Sequence, residues 1–275
     1  MTPSASVALK RLMTLIRKTK RAMMHILFGL ITTMWTLPVP ISASDALPVP
    51  LRADGYLYRV TTVRAAPGRL MDLIALFKAH VADYEARGDA PPFWMRHSQG
   101  DQWDLILMYP MESYAAYYGP ERLVRRADHA DVQRAFEDQL TQLVAWREDL
   151  YAFGPALADV AARFDGMGYF HVEMFKALPG KQDALIRQRK MENRYYDALS
   201  HPPNLIFVRE SGSPVDVFTV GFYRDLQHFA AGADVPFETE DRAARDAGFD
   251  GVNQISPYLR SLIAWHHDTL AVRIR

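Results

Sequence analysis

The chain has no cysteine among its 275 residues, which excludes disulfide scaffolds, thiol nucleophiles and Cys-ligated zinc or iron–sulfur centres. It has no net charge either, with 32 basic and 32 acidic residues. No G-x-S-x-G, P-loop, H-E-x-x-H or G-x-G-x-x-G fingerprint occurs, so the common serine-hydrolase, nucleotide and zincin chemistries have no foothold. The apolar stretch over residues 22–37 falls short of the roughly 20 residues of a comfortable membrane span. A hydrophobic content of 49% with 23% charged residues is ordinary for a globular protein and argues against disorder. The length admits one large domain or two smaller ones.

The neutral total conceals a segregation. Residues 1–44 carry Lys10, Arg11, Arg17, Lys18, Lys20 and Arg21 and no acid. From Asp45 onward 26 basic residues face 32 acidic ones, a net charge of −6, and such a body has no electrostatic reason to bind nucleic acid. The basic flank, the short apolar run and the small residues Ser42, Ala43, Ser44 and Ala46 read as a secretory signal cut after Ser44 or Ala46. This predicts a periplasmic or secreted bacterial protein. Left uncleaved, the segment would be an N-terminal anchor, and it is the one expected contact with a membrane. Residues 45–54, with Pro48 and Pro50, form a short extended spacer.

The body repeats itself. Arg64-Ala-Ala-Pro-Gly-Arg69 recurs as Lys176-Ala-Leu-Pro-Gly-Lys181, 112 residues later. The same offset pairs Val60 with Val172, Tyr84 with Tyr196, Pro91 with Pro203 and Asp104 with Asp216. Leu143-Val-Ala-Trp146 recurs as Leu262-Ile-Ala-Trp265 at an offset of 119. Such ordered matches predict two repeats, 55–153 and 167–275, joined by a linker over 154–166.

In each copy an alternating strand (56–64; 169–176) is broken by Pro-Gly and followed by a helical pattern. A hairpin comes next, around 99–102 in the first copy and 211–214 in the second. A helix, expected over Val132–Arg147 and Pro257–His267, then leads to a closing strand. The order is βαββαβ twice, so the predicted class is α+β, two tandem ferredoxin-like units. Each unit leaves one sheet face bare, and two can bury those faces together as an intrachain pseudo-dimeric barrel with an internal cavity.

In this element order, with its strand–Pro-Gly–helix opening, the chain resembles the dimeric α/β-barrel superfamily in fused form. That superfamily includes antibiotic-biosynthesis-type monooxygenases that work without a cofactor, stress-responsive barrel domains, NIPSNAP-type domains and chlorite-dismutase-like haem proteins. The resemblance implies a fold and leaves the reaction open.

Strand parity nominates site residues. Tyr58, Val60 and Thr62, with Phe170, Val172 and Met174, are expected under the helices. The opposite face, with Arg59 and Thr61 in one copy and Tyr169, His171 and Glu173 in the other, is expected to line the inter-repeat cavity. There His171 would act as general base, Glu173 would orient it and Arg59 would stabilise an oxyanion. His171 and Glu173 could instead be two metal ligands lacking a third, or form a buried ion pair with Arg59. Thr61, His97, Tyr109, Tyr169 and Arg209 are candidate substrate contacts. His228 is the nearest match to the helical haem ligand of the haem-binding relatives, though their accompanying Asn and Trp have no counterpart; no cofactor and no metal is therefore expected. Trp146 and Trp265 read as core residues on helices, and His266-His267-Asp268 as a helix end. The expected function is binding of a small apolar or aromatic molecule, with proton abstraction or cofactor-free oxygenation as the chemistry. A non-catalytic ligand-binding or interaction protein of the same fold is the alternative, haem binding through His228 is a third reading, and a homo-oligomer is open.

Overall fold

The computed structural model describes residues 55–84 and 86–274; the expected leader and spacer lie outside the described residues. Among the described residues no helix is long and apolar enough to cross a membrane. In chain order the elements are β1 (Tyr56–Ala65), α1 (Leu70–Ala82), β2 (Phe93–Gln99), β3 (Leu105–Glu112), α2 (Tyr114–Tyr117), α3 (Pro120–Asp128), α4 (Ala130–Leu143), β4 (Val144–Gly154) and α5 (Leu157–Phe164). They continue as β5 (Tyr169–Ala177), α6 (Gln182–Ala198), β6 (Leu205–Gly212), β7 (Val217–Tyr223), α7 (Leu226–Ala230), α8 (Phe237–Asp246), α9 (Val252–Arg260) and β8 (Ile263–Arg273).

All eight strands are antiparallel to their neighbours and close into one barrel in the order β1-β3-β2-β8-β5-β7-β6-β4. Strands β1–β4 and β5–β8 are each contiguous in the ring, joined by β2 with β8 and β4 with β6. Local devices recur at the 112-residue offset. Asp104 accepts from the Ala65 amide at 2.8 Å, and Asp216 from the Ala177 amide at 3.0 Å. Gly100 and Gly212 have φ of +123° and +94°, and each sits where a Cβ would strike the backbone of the other half, at Asp268 and at Asp149 respectively. Only glycine meets both demands at these seams.

The barrel interior is a packed core, which inverts the expected faces. Tyr58, Val60, Phe170, Val172 and Met174 join Met95, Trp103, Ile106, Met108, Phe207 and Phe218 in one buried cluster drawn from both halves. The rings of Phe207 and Phe218 stack at 4.5 Å. Eight strands enclose just enough space for side chains to fill, and the driest space takes the most apolar face. No inter-repeat cavity therefore receives Arg59, His171 or Glu173. They lie on the outer face, under the helices, where helical side chains supply partners. Residues 154–166 are more than a linker: α5 places Val160 and Phe164 in the barrel cluster, with Phe164 against Phe93, Phe170 and Phe222.

The closing helices end sooner than periodicity predicts, at Leu143 and Arg260. Trp146 and Trp265 consequently lie on strands, packed against the barrel cluster. His266, His267 and Asp268 are strand residues too, so alternation puts His266 and Asp268 on one face.

Candidate functional site

Outward-facing residues of the first half meet helices α1 and α4. On β1 the alternation that buries Tyr58 and Val60 turns Arg59 and Thr61 outward. The register sets Tyr109 of β3 beside Arg59, and Asp149 of β4 beside Thr61. From above come His80 of α1, Tyr84 and Arg87 just beyond it, Gln133 and Phe136 of α4, and Tyr117 of α2. These residues enclose a cavity of about 180 Å³. That is below the roughly 300–1,000 Å³ of pockets for drug-sized ligands, a space for a single ring.

Arg59 dominates its electrostatics. The guanidinium lies 4.4 Å from the Tyr109 ring centroid, yet its buried Nε has no hydrogen-bond partner and no carboxylate forms an ion pair with it among the described residues. Burying a cation costs several kcal/mol, and a desolvated cation–π contact returns only about 2 kcal/mol. Burial works against the charge, but the phenol oxygens of Tyr117, Tyr109 and Tyr84 and the Asp149 carboxylate sustain it. Tyr84 is pushed up to about 12 by burial, with Arg59 pulling the other way, and burial lifts Tyr109 well above the ordinary phenol value. Both are neutral donors at pH 7, stacked at 5.7 Å. His80 is lowered to about 4, by burial first and by Arg87 second. It is therefore a neutral imidazole, stacked on Phe136 at 3.6 Å with Nε2 facing Arg87. Thr61 Oγ1 donates to Asp149 Oδ1 at 2.5 Å.

The matching space of the second half is filled. Glu173 accepts from Thr219 at 2.8 Å, from Asn204 at 3.4 Å and from Arg189 Nη1 at 3.3 and 3.4 Å to its two oxygens. Arg189, from α6, also pairs with Glu192 and lies over the Phe175 ring. Glu173 thus forms its ion pair with Arg189, not with Arg59. His171 Nε2 lies 3.6 Å from Asp268. Burial opposes its protonation, yet the Asp268 and Glu173 carboxylates raise it above the ordinary imidazole value. Asp268 supplies the third ligand that spacing did not reveal: the ligand atoms of His171, Glu173 and Asp268 lie within 4.8 Å of one another. Such a hard donor set suits a divalent cation, but Arg189 already holds both Glu173 oxygens, and the cluster is an ion-pair network.

The structure therefore unites Arg59, Thr61 and Tyr109 in one pocket, and His171 and Glu173 in a separate network under the other helices. Tyr169 packs against Phe229. His97 and Arg209 share the parity of the barrel residues Met95 and Phe207; His97 abuts Trp103, and Arg209 pairs with Asp216. Neither reaches the pocket. Sequence reasoning missed His80, Arg87 and Asp149 in the first half and Arg189 in the second, and it set Asp268 aside as part of a helix end. Asp149 and Asp268 carried a signal, being equivalent at the offset of 119.

No family model matches the chain, and no curated protein matches it. Solved structures do. An anthrone oxidase-like protein is 12% identical with a TM-score of 0.50, covering 81% of this chain and 93% of that one. A monooxygenase candidate from Lactobacillus acidophilus NCFM is 7% identical (TM-score 0.48; 80% and 94% covered), and a chlorite dismutase variant from Candidatus Nitrospira defluvii is 11% identical (TM-score 0.44; 82% and 94% covered). The chain has the fold of the dimeric α/β-barrel superfamily.

The expectation of no cofactor is corrected by these comparisons. The solved structures similar to this one include chlorite dismutases and a protein from Thermus thermophilus described as heme-binding (10% identical, TM-score 0.40). The residues here nevertheless do not fit haem at the expected position. His228 lies in the short α7, its Nδ1 accepts from the Arg224 amide at 3.1 Å, and its ring abuts Tyr223. It lines neither the cavity around Arg59 nor the clefts around Arg122 and Phe249.

Proposed function

We propose that the protein is an exported, internally duplicated barrel that binds a small single-ring molecule between the sheet and helices of its first half and removes a proton from it. One observation carries this reading: a carboxylate, Asp149, shares a cavity with neutral phenols and with a guanidinium that has no ion-pair partner among the described residues and whose buried Nε has no hydrogen bond. Asp149 is the base, with one oxygen held by Thr61. Arg59 and the phenols of Tyr84 and Tyr109 stabilise the oxygen that gains charge. The aromatic walls, Phe77, Phe136 and Tyr84, suit a planar ring. The recurrence of Gly100 at Gly212 and Asp104 at Asp216, each with its structural role, supports the duplication.

Native mass spectrometry of protein purified from a bacterial periplasm tests the reading. A bound single-ring molecule is expected in the native protein and in Asp149→Asn, which removes the base and keeps the pocket. Finding no bound molecule in either would refute it. The same spectra report export, since the chain should begin close to residue 45 or 47; an intact leader contradicts that part.

A further inference from the structure

Charge counting in the first-half pocket goes one step further, resting on the reading above. Its lining includes four arginines and three acids. Arg126 pairs with Asp89 at 3.2 Å, a carboxylate that Arg122, outside the lining, also holds at 2.5 Å, and Arg147 pairs with Glu137 at 3.2 Å. That leaves Arg59 and Arg87 against Asp149. Arg87 uses its donors on neutral acceptors, the Gln133 amide oxygen, the Asp83 carbonyl and His80. His80, lowered by burial, and Tyr84 and Tyr109, raised by it, add no charge at neutral pH. The pocket thus has one positive charge too many, and Arg59, always protonated in proteins, has a buried Nε without a partner.

We infer that the substrate class is an acidic phenol or enol of single-ring size, held in the pocket as its oxyanion against Arg59. One negative charge closes the balance, and an aromatic ring attached to that oxygen fills the cavity against the wall formed by Phe77 and Phe136, whose rings meet edge to face at 5.5 Å. On binding, the substrate O–H bond breaks and the proton passes to the Asp149 carboxylate and from there to water. No electrons are transferred in this step.

The test uses the purified protein with 4-nitrophenol, whose anion absorbs visibly, and with 4-nitroanisole, the same ring without an acidic proton. About one pH unit below half-ionisation of the free phenol, binding should bring up the phenolate band, showing at least a tenfold preference for the anion. Nitroanisole should bind at least tenfold more weakly. Arg59→Met should abolish the preference and Arg59→Lys should retain most of it, with melting curves confirming that both variants fold. If Arg59→Met does not fold, the wild-type spectrum and Arg59→Lys decide. Nitrophenol bound as the neutral phenol, nitroanisole bound equally well, or an unchanged preference in Arg59→Met would overturn the inference and leave the proposed pocket standing. If neither compound binds at millimolar concentration, the inference and the proposed function fall together.

Discussion

Replacing Arg189 by Met tests the assignment of the second-half cluster to structure. The Arg189 side chain is 2% exposed and that of Glu173 9%. Methionine keeps much of the aliphatic stem but loses the guanidinium over the Phe175 ring and strands Glu173, with Thr219 and Asn204 left to donate to it. Removing one member of a buried pair costs about 3–5 kcal/mol, chiefly from the charge left behind. For a body of this size each kcal/mol lowers the melting temperature by about 2–4 °C, so Arg189→Met should melt roughly 6–20 °C lower. Glu192, already held above the ordinary carboxylate range by burial despite Arg189, would take up a proton and limit the loss. Adding Glu173→Gln removes the stranded charge, and the double variant should recover about 2 kcal/mol or more. Thermal and urea melts at pH 7 measure all three proteins. A single-variant loss below about 1 kcal/mol, or a double variant no better than the single, refutes the reasoning.

Three further outcomes follow from the same geometry. His80, neutral when folded at about 4 against 6.5 in the unfolded chain, withholds stability as pH falls from about 6.5 to 4; the loss is on the order of 2–3 kcal/mol and should vanish in His80→Gln, as acid titrations of both proteins would show. His171 has the opposite sign: its contribution is complete below about pH 6.5 and is lost as pH rises through its elevated folded value, so the stability advantage over His171→Asn should shrink on the alkaline side, and a constant difference would contradict it. Gly100→Ala and Gly212→Ala should each cost at least about 1–3 kcal/mol through left-handed backbone strain and contact with the opposite half, which urea unfolding measures; tolerance of both would contradict the seam geometry.

Element order, the two hairpins and the recurrence were legible because Pro-Gly turns and strand alternation are local signals. The aspartates Asp104 and Asp216, paired by the offset, do the same job in both halves. Which sheet face is inside was not legible. Alternation separates Tyr58 from Arg59, but it cannot say whether barrel or helices cover the more apolar set, and that depends on closure through β2–β8 and β4–β6. The inversion moved Arg59, Thr61 and Tyr109 together into a pocket one layer further out, and moved His171 and Glu173 under Arg189. Arg189 was invisible because a buried arginine in the middle of α6 looks like any polar helical residue. Asp149 and Asp268 were hidden by helical patterns that run past Leu143 and Arg260 into the strands.

The central claim is that the ligand lies between the sheet and helices of the first half. Determining a crystal structure with bound 4-nitrophenol tests it most directly. Density for the ring in the cavity beside Phe77, Phe136 and Tyr84, with its oxygen toward Arg59, is the predicted result. Density inside the barrel, or against His171 and Glu173 in the second half, would contradict the account.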